Sequence, residues 1–497
     1  MNTESSRPRR ARIKNRTAFE MLIILMGYLG IGGGLMWWAF LNHEEPPLVA
    51  LAAVVVAIVM LFDDHKDERA GVSGARRTVR ARALELWRNY VADETQAMRV
   101  VIAVACTLTT SLIGYVYARE IVVRGWQLGA WVICVVTIII ALMPPERPSF
   151  RITKLEIGAL GLMLAALLLR VTFLEQAPGG LHVDEVGAAD FALRQVFPDS
   201  ELTANPFRTG PASQPTLFFY LQRLALALVG NSITGLRITS ALAGALAILA
   251  TYGTVAILQD RRTALIAATI MTTYHYHIHW SRLGLNNIWD TLWIPLMLLA
   301  FTWGWKNRWS GGAVLAGLAL GLSQYFYHGS KVGGFLLAFL IWWLWRQERD
   351  IDRLVVQVGK LALTAICVAS PIVIFALLDP VPYFERASVV FAWSPTNIGI
   401  ETRGTFDLVG YAWRQIWNSV GAFVAVPDVT GFYGPGVPFV IGVAAILFVT
   451  GLLWAIFKRH WVPALWILLT VVLGGFLVTG APSSSHYVAS IPAICWL

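Results

Sequence analysis

Two adjacent carboxylates, Asp184 and Glu185, stand in the phrase Gly180-Leu181-His182-Val183-Asp184-Glu185. The phrase follows an apolar run, Leu155–Leu174, that is long enough to cross a bilayer. Acidic groups at a membrane surface are costly to desolvate and are often functional. A carboxylate held there can take a proton from an acceptor hydroxyl, as a general base does. Val186, Ala189, Leu193, Val196 and Phe197 follow at helical spacing, so the pair opens a helix expected to lie along the membrane. Capping that helix is the plainer role open to Asp184.

Other groups able to bind or react stand at the ends of apolar segments. His182 belongs to the first phrase. His275, His277, His279 and Arg282 end one segment, and Asn286, Asn287 and Asp290 begin the next. Tyr325, Tyr327, His328 and Lys331 share another turn. Glu385 and Arg386 fall in a long connection, and His486 and Tyr487 precede the last apolar run. The three alternating histidines would line up on a strand; on a helix His275 and His279 share a face and His277 points away. Interface anchoring, ligand contact and metal ligation all stay open for them. Arg282 and Lys331 have a plainer role as cations reaching to the membrane surface, and His328 as a turn residue. Cys106, Cys134, Cys367 and Cys495 lie in apolar runs without pair spacing, so neither a disulfide framework nor a zinc cage is expected.

The elements that must position these groups follow from composition. The chain of 497 residues is 57% hydrophobic and 14% charged, against roughly 25% charged in soluble domains. Apolar stretches of spanning length recur throughout, so the fold class is all-α: a polytopic integral membrane protein. The net charge of +9 concentrates before the first apolar run and in the loop 63–97. That is the positive-inside bias, with attraction to membrane lipids as a second effect, and it argues against nucleic acid as a partner. Phe19–Leu41 is expected as an uncleaved first span. A surface helix is expected near 76–90.

Thr216–Val229 decides the topology. Read as a span, it would place every later basic loop outside. Read as an interfacial helix, it puts the basic pairs at Arg261-Arg262, Lys306–Arg308 and Lys458-Arg459 inside. The second choice gives about 14 crossings, a cytoplasmic N-terminus and an external active site in a plasma membrane. Later spans are expected near 263–280, 286–305, 311–326, 332–346, 356–378, 438–457, 461–480 and 484–497. Residues 1–145 form an N-terminal block of about four spans of unassigned role, and 146–497 the core. The core carries external loops at 175–232 and 379–437, the second expected to be partly ordered. The last apolar run stops at Leu497 without a basic flank, the pattern expected of a chain cut inside a span.

The ordered set Asp184-Glu185, Pro215–Tyr220, Gly230-Asn231-Ser232, Gly235–Leu242, Ser281–Gly284 and Asp290 resembles the type C membrane glycosyltransferases, the superfamily of protein mannosyltransferases and aminoarabinose transferases. The resemblance covers about residues 150–497. It implies transfer of a sugar from a polyprenyl-phosphate carrier to a lipid, glycan or protein acceptor on the external face, with inversion. It implies Asp184 as general base, with Glu185 orienting the acceptor or tuning its neighbour. Arg282, Lys331, Tyr325 and His328 are then candidates for the lipid phosphate, and His182, His279, Asn286, Asp290 and His486 for support. The pair is not an Asp-X-Asp, so no obligatory metal is expected, although members of the superfamily differ in their need for one. A lipid or sugar transporter, or a non-catalytic relative, is the alternative. A transporter predicts repeats and midplane charges, whereas the polar groups here gather at segment ends.

Overall fold

The computed structural model describes residues 94–497 except 147, 150, 151, 199, 429 and 435. The expected first two spans, the surface helix near 76–90 and most of the basic loop 63–97 lie outside the described residues.

The described chain is mostly helical, as a membrane protein requires where no water is present to satisfy the backbone. Among the described residues, three helices are long and apolar enough to cross a bilayer: α1 (Glu94–Tyr117), α6 (Ile233–Leu258) and α12 (Ile351–Leu378). Between and after them come α2 (Trp126–Leu142), α3 (Lys154–Val171), α4 (Val183–Arg194), α5 (Leu217–Val229), α7 (Arg261–Thr273), α8 (His275–Ser281), α9 (Asp290–Lys306), α10 (Gly311–Ser323) and α11 (Lys331–Glu348). Polar caps start several of them. Thr153 and Glu156 form a capping box on α3, and Ser232, Asp260 and Asp350 cap α6, α7 and α12.

Small residues let these helices approach closely. A Cβ at Gly317 of α10 would collide with the Leu361 carbonyl of α12. The N-terminal block is joined to the core: Trp131 Nε1 of α2 donates to the Val368 carbonyl at 2.9 Å. Beyond α1, the two-residue strands β1 (Val122–Val123) and β2 (Thr203–Ala204) pair antiparallel. Asn205 donates to the Tyr117 and Glu120 carbonyls. All four cysteines are buried and free.

Three expected spans are not continuous α-helices. The segment 263–280 breaks at Tyr274, whose ψ of 114° leaves the helical region. The break exposes carbonyls inside apolar surroundings, and Arg170 fills the need, donating to Met271 and Thr272. The segment 461–480 runs as α-helix over Trp461–Thr470 and then widens to a π-turn over Val471–Phe476. The segment 484–497 is divided into short turns, Ser484–Tyr487, Val488–Ser490 and Ile491–Trp496. The connection 379–437 carries three helices of its own: α13 (Pro380–Val390), α14 (Pro395–Glu401) and α15 (Leu408–Gly421).

Candidate active site

The N-terminus of α4 separates the two acidic neighbours. His182 is the N-cap, and its Nδ1 accepts from the Asp184 N–H at 3.1 Å. Glu185 closes the capping box by accepting from the His182 N–H at 3.0 Å. Asp184 therefore lies inside the first turn and is not the cap. Its carboxylate is 45% exposed, 4.0 Å from His182 Nδ1.

Glu185 is fully buried. It accepts from Arg237 Nε at 2.8 Å, Arg237 Nη2 at 2.9 Å and the Gly284 N–H at 2.7 Å. Arg237 is equally buried and also donates to the carbonyls of Leu174, Pro178 and Gly180. Glu185 is thus the centre of a strut joining α4, α6 and the turn before α9, facing away from solvent.

Asp184 opens instead onto a cavity of about 120 Å³. Its polar walls come from Gln214, Asn286, Asn287, Tyr327, Arg386 and Ser485. Apolar walls come from α4, α5 and Phe432. Asn286 is almost fully buried, and its Nδ2 donates to Gln214 Oε1 at 2.9 Å and to the Phe326 carbonyl at 3.1 Å. Arg386 of α13 makes no hydrogen bond or ion pair among the described residues, and its charge lies close to Tyr327, His328 and His486. Burial pushes the Tyr327 hydroxyl up to about 12, so it stays protonated and can donate. Among the described residues, no group of three or more His, Cys, Asp or Glu side chains is placed to hold a metal ion.

His328 and Lys331 sit one layer behind this wall. Lys331 Nζ donates to His328 Nδ1 at 2.9 Å and stands 5.1 Å from the centre of the Tyr383 ring. Burial, with the Lys331 charge second, holds His328 well below its ordinary value, so the ring is neutral. Asp290 lies deeper, 1% exposed, with neither carboxylate oxygen hydrogen-bonded to another side chain among the described residues. The Ser330 backbone and Lys331 are its favourable neighbours. A Cβ at Gly329 would collide with the Asp290 carboxylate, which would have to shift to admit it. His486 is close to Arg386 and Asp428, and its Nδ1 is buried without a partner among the described residues.

The remaining predicted residues lie apart from the cavity. Arg282 donates to four carbonyls, Leu169 at 2.7 Å, Arg170 at 3.1 Å, Phe173 at 2.8 Å and Ala177 at 2.8 Å. It closes the C-terminus of α3 with four of its five N–H groups, and the cavity is lined by other residues. Among the described residues it makes no hydrogen bond to Asp290. Tyr325 is buried against Trp131 and donates to the Val368 carbonyl. His279 Nε2 pairs with the Phe432 carbonyl at 2.7 Å, while His182 stacks on the Phe432 ring at 4.5 Å. These two histidines thereby fix the residue that closes one side of the cavity. Asp428 organises the same strap, accepting from the backbone N–H groups of Thr430, Tyr433 and Ser484.

Sequence reasoning passed over Gln214, Phe432 and Ser485, and noted Arg386 without giving it a role. Arg386 carried a usable signal: with Glu385 it lies in the one long connection that was expected to be ordered.

Residues 213–375, about a third of the chain, match the model of the dolichyl-phosphate-mannose-protein mannosyltransferase family. The likeness is to type C membrane glycosyltransferases, in agreement with the ordered motifs. The matched segment includes Gln214, Asn286, Asp290, His328 and Lys331, but neither Asp184 nor Arg386. Among solved structures, the chain is similar to the Archaeoglobus fulgidus oligosaccharyltransferase in complex with zinc and sulfate. That pair has 15% identity and a TM-score of 0.41, over 68% of this chain and 48% of that one. It is also similar to the archaeal oligosaccharyltransferase AglB from Archaeoglobus fulgidus bound to an inhibitory peptide and a dolichol-phosphate. There the identity is 17% and the TM-score 0.37, over 75% of this chain and 49% of that one. The chain spans about half the length of these structures. No curated protein matches it.

Proposed function

We propose that this chain is a membrane glycosyltransferase that moves a sugar from a polyprenyl-phosphate carrier to an acceptor hydroxyl, with Asp184 as general base. The observation that carries the reading is one cavity lined by a free carboxylate and a free guanidinium, Asp184 and Arg386. The family match, whose name specifies a dolichyl-phosphate-linked mannose donor, supports the same class of chemistry.

Asp184 takes the acceptor O–H proton as the acceptor oxygen forms its bond to the anomeric carbon. The bond from that carbon to the phosphate oxygen breaks in line, its electron pair leaves with the carrier phosphate, and the configuration inverts. Arg386 meets the charge that grows on the phosphate. Tyr327, protonated, donates beside it. Lys331 acts behind His328 as a second positive charge, and Glu185 holds the turn that carries the base. Orientation follows the charge bias: N-terminus cytoplasmic, about 14 crossings, cavity on the external face of a plasma membrane.

The test is sugar transfer in membranes supplied with radiolabelled polyprenyl-phosphate sugars, comparing wild type, Asp184→Asn and Arg386→Ala. Loss of about a hundredfold or more in Asp184→Asn is expected of a missing base. Equal transfer by Asp184→Asn would remove Asp184 from the mechanism. No transfer from any donor by the wild type would refute the enzyme reading and favour lipid flipping.

A further inference from the structure

The turn before Pro215 has an unusual backbone. Ala212 and Ser213 both adopt positive φ, 51° and 54°, in succession. A non-glycine residue in this region is strained and persists only where its surroundings enforce it. Here they do. The Gly210 N–H donates to the Gln214 carbonyl at 2.7 Å, and Thr209 pairs with Pro215 in an isolated bridge. Ser213 Oγ donates to Glu385 Oε2 at 2.9 Å, and Thr209 Oγ1 to the Pro382 carbonyl at 3.1 Å. His328 faces the Ser213 carbonyl.

The strain delivers Gln214 to the cavity wall. Its Oε1 is occupied by Asn286, which fixes the amide and leaves Nε2 as a donor without a partner among the described residues. Asn286 spends Nδ2 on Gln214 and Phe326, which leaves Oδ1 as an acceptor beside it. One donor and one acceptor on neighbouring, fixed amides suit hydroxyl groups, which do both. The turn also holds the adjacent helix. Glu385, outside the cavity, grips Ser213, and the next residue is Arg386.

We propose that Gln214, fixed by Asn286, reads the hydroxyls of the donor's sugar, and that the Ser213–Glu385 bond couples this reader to the phosphate-holding Arg386. Sugar and phosphate are then held by one clamp made of the strained turn and α13. Glu385 is a positioning residue in this scheme. The inference rests on the lipid-phosphate reading of the cavity.

The experiment measures binding to the full chain in lipid nanodiscs with two probes: citronellyl phosphate, and the same phosphate carrying a hexose. Gln214→Met keeps the side chain's shape and removes the amide. It is expected to lower affinity for the hexose-bearing probe by about tenfold while leaving the bare phosphate unchanged. Asn286→Ser serves as the second variant, with the same selective loss. Glu385→Gln is expected to weaken both probes, and more than Glu401→Gln, a control on the neighbouring helix α14. Equal binding of the two probes by wild type, or an equal loss of both in Gln214→Met, overturns the sugar-reading role. Unchanged binding in Glu385→Gln overturns the coupling. Failure of the wild type to bind either probe defeats the lipid-phosphate reading itself, and the clamp with it.

Discussion

Replacing Glu185 should damage the fold, whereas replacing its neighbour Asp184 should damage only the chemistry. The Glu185–Arg237 pair is 2.8 Å long with both side chains fully buried. Removing one partner of a buried pair costs about 3–5 kcal/mol, because the other charge stays behind uncompensated. In Glu185→Ala the Gly284 and His182 N–H groups also lose their acceptor. Arg237 keeps its three carbonyls, so the total stays within that range and is not a sum of separate bonds. Asp184 is half-exposed, and Asn in its place should change stability by about 0.5 kcal/mol or less. Thermal unfolding of the purified protein in nanodiscs decides between the two. The four buried free cysteines allow a thiol-reactive dye to report it directly. Glu185→Ala is expected to melt well below wild type, and Asp184→Asn at the wild-type temperature without activity. The pair Glu185→Leu with Arg237→Met should recover much of the lost stability, as apolar replacement of a buried ion pair generally does. A wild-type melt for Glu185→Ala, or a double variant no more stable than the single one, would refute the strut.

Arg386→Lys should keep part of the transfer activity and Arg386→Ala little, with KM for the lipid donor rising in both; unchanged KM would move the phosphate elsewhere. Arg282→Met should lower the melting temperature, at a cost of about 2 kcal/mol or more from lost charged hydrogen bonds, and a normal melt would show the α3 cap to be dispensable. His328 is held below its ordinary value of 6.5 in the folded state. The unfolded chain therefore binds the proton first, and stability falls as pH drops below about 6.5. Melting curves from pH 8 to 5 should show a smaller decline in His328→Gln than in wild type. Gly329→Ala drives a methyl into Asp290 and should melt lower than a change at the open Gly359, where no atom lies within 4 Å of the added carbon.

Periodicity and hydropathy made the helices legible because apolar runs of spanning length leave the backbone few alternatives. They did not show where helices break. Tyr274 gives no Pro or Gly signal, and the break stands because Arg170, more than a hundred residues earlier, supplies donors to the freed carbonyls. The same tertiary dependence governed Arg282. The family resemblance made it a candidate for the lipid phosphate, but its donors go to the end of α3. A cation's role is set by which acceptors reach it, and spacing along the chain does not record that.

Arg386 shows the converse. A single charged pair in a long connection looks like ordinary solvated surface. What distinguishes it is the partner of its neighbour: Glu385 is held by Ser213, in a turn whose backbone no local preference would choose. Strain at Ala212 and Ser213 is stabilised from α13, and α13 is placed by that turn, so neither half has meaning alone. The place of Asp184 in the first turn of a helix was readable because a helix start and an acidic pair are local features. Arg386, which lines the same cavity, belongs to an arrangement spread over residues 209–215, 286, 328 and 385–386, and only the folded chain brings these together.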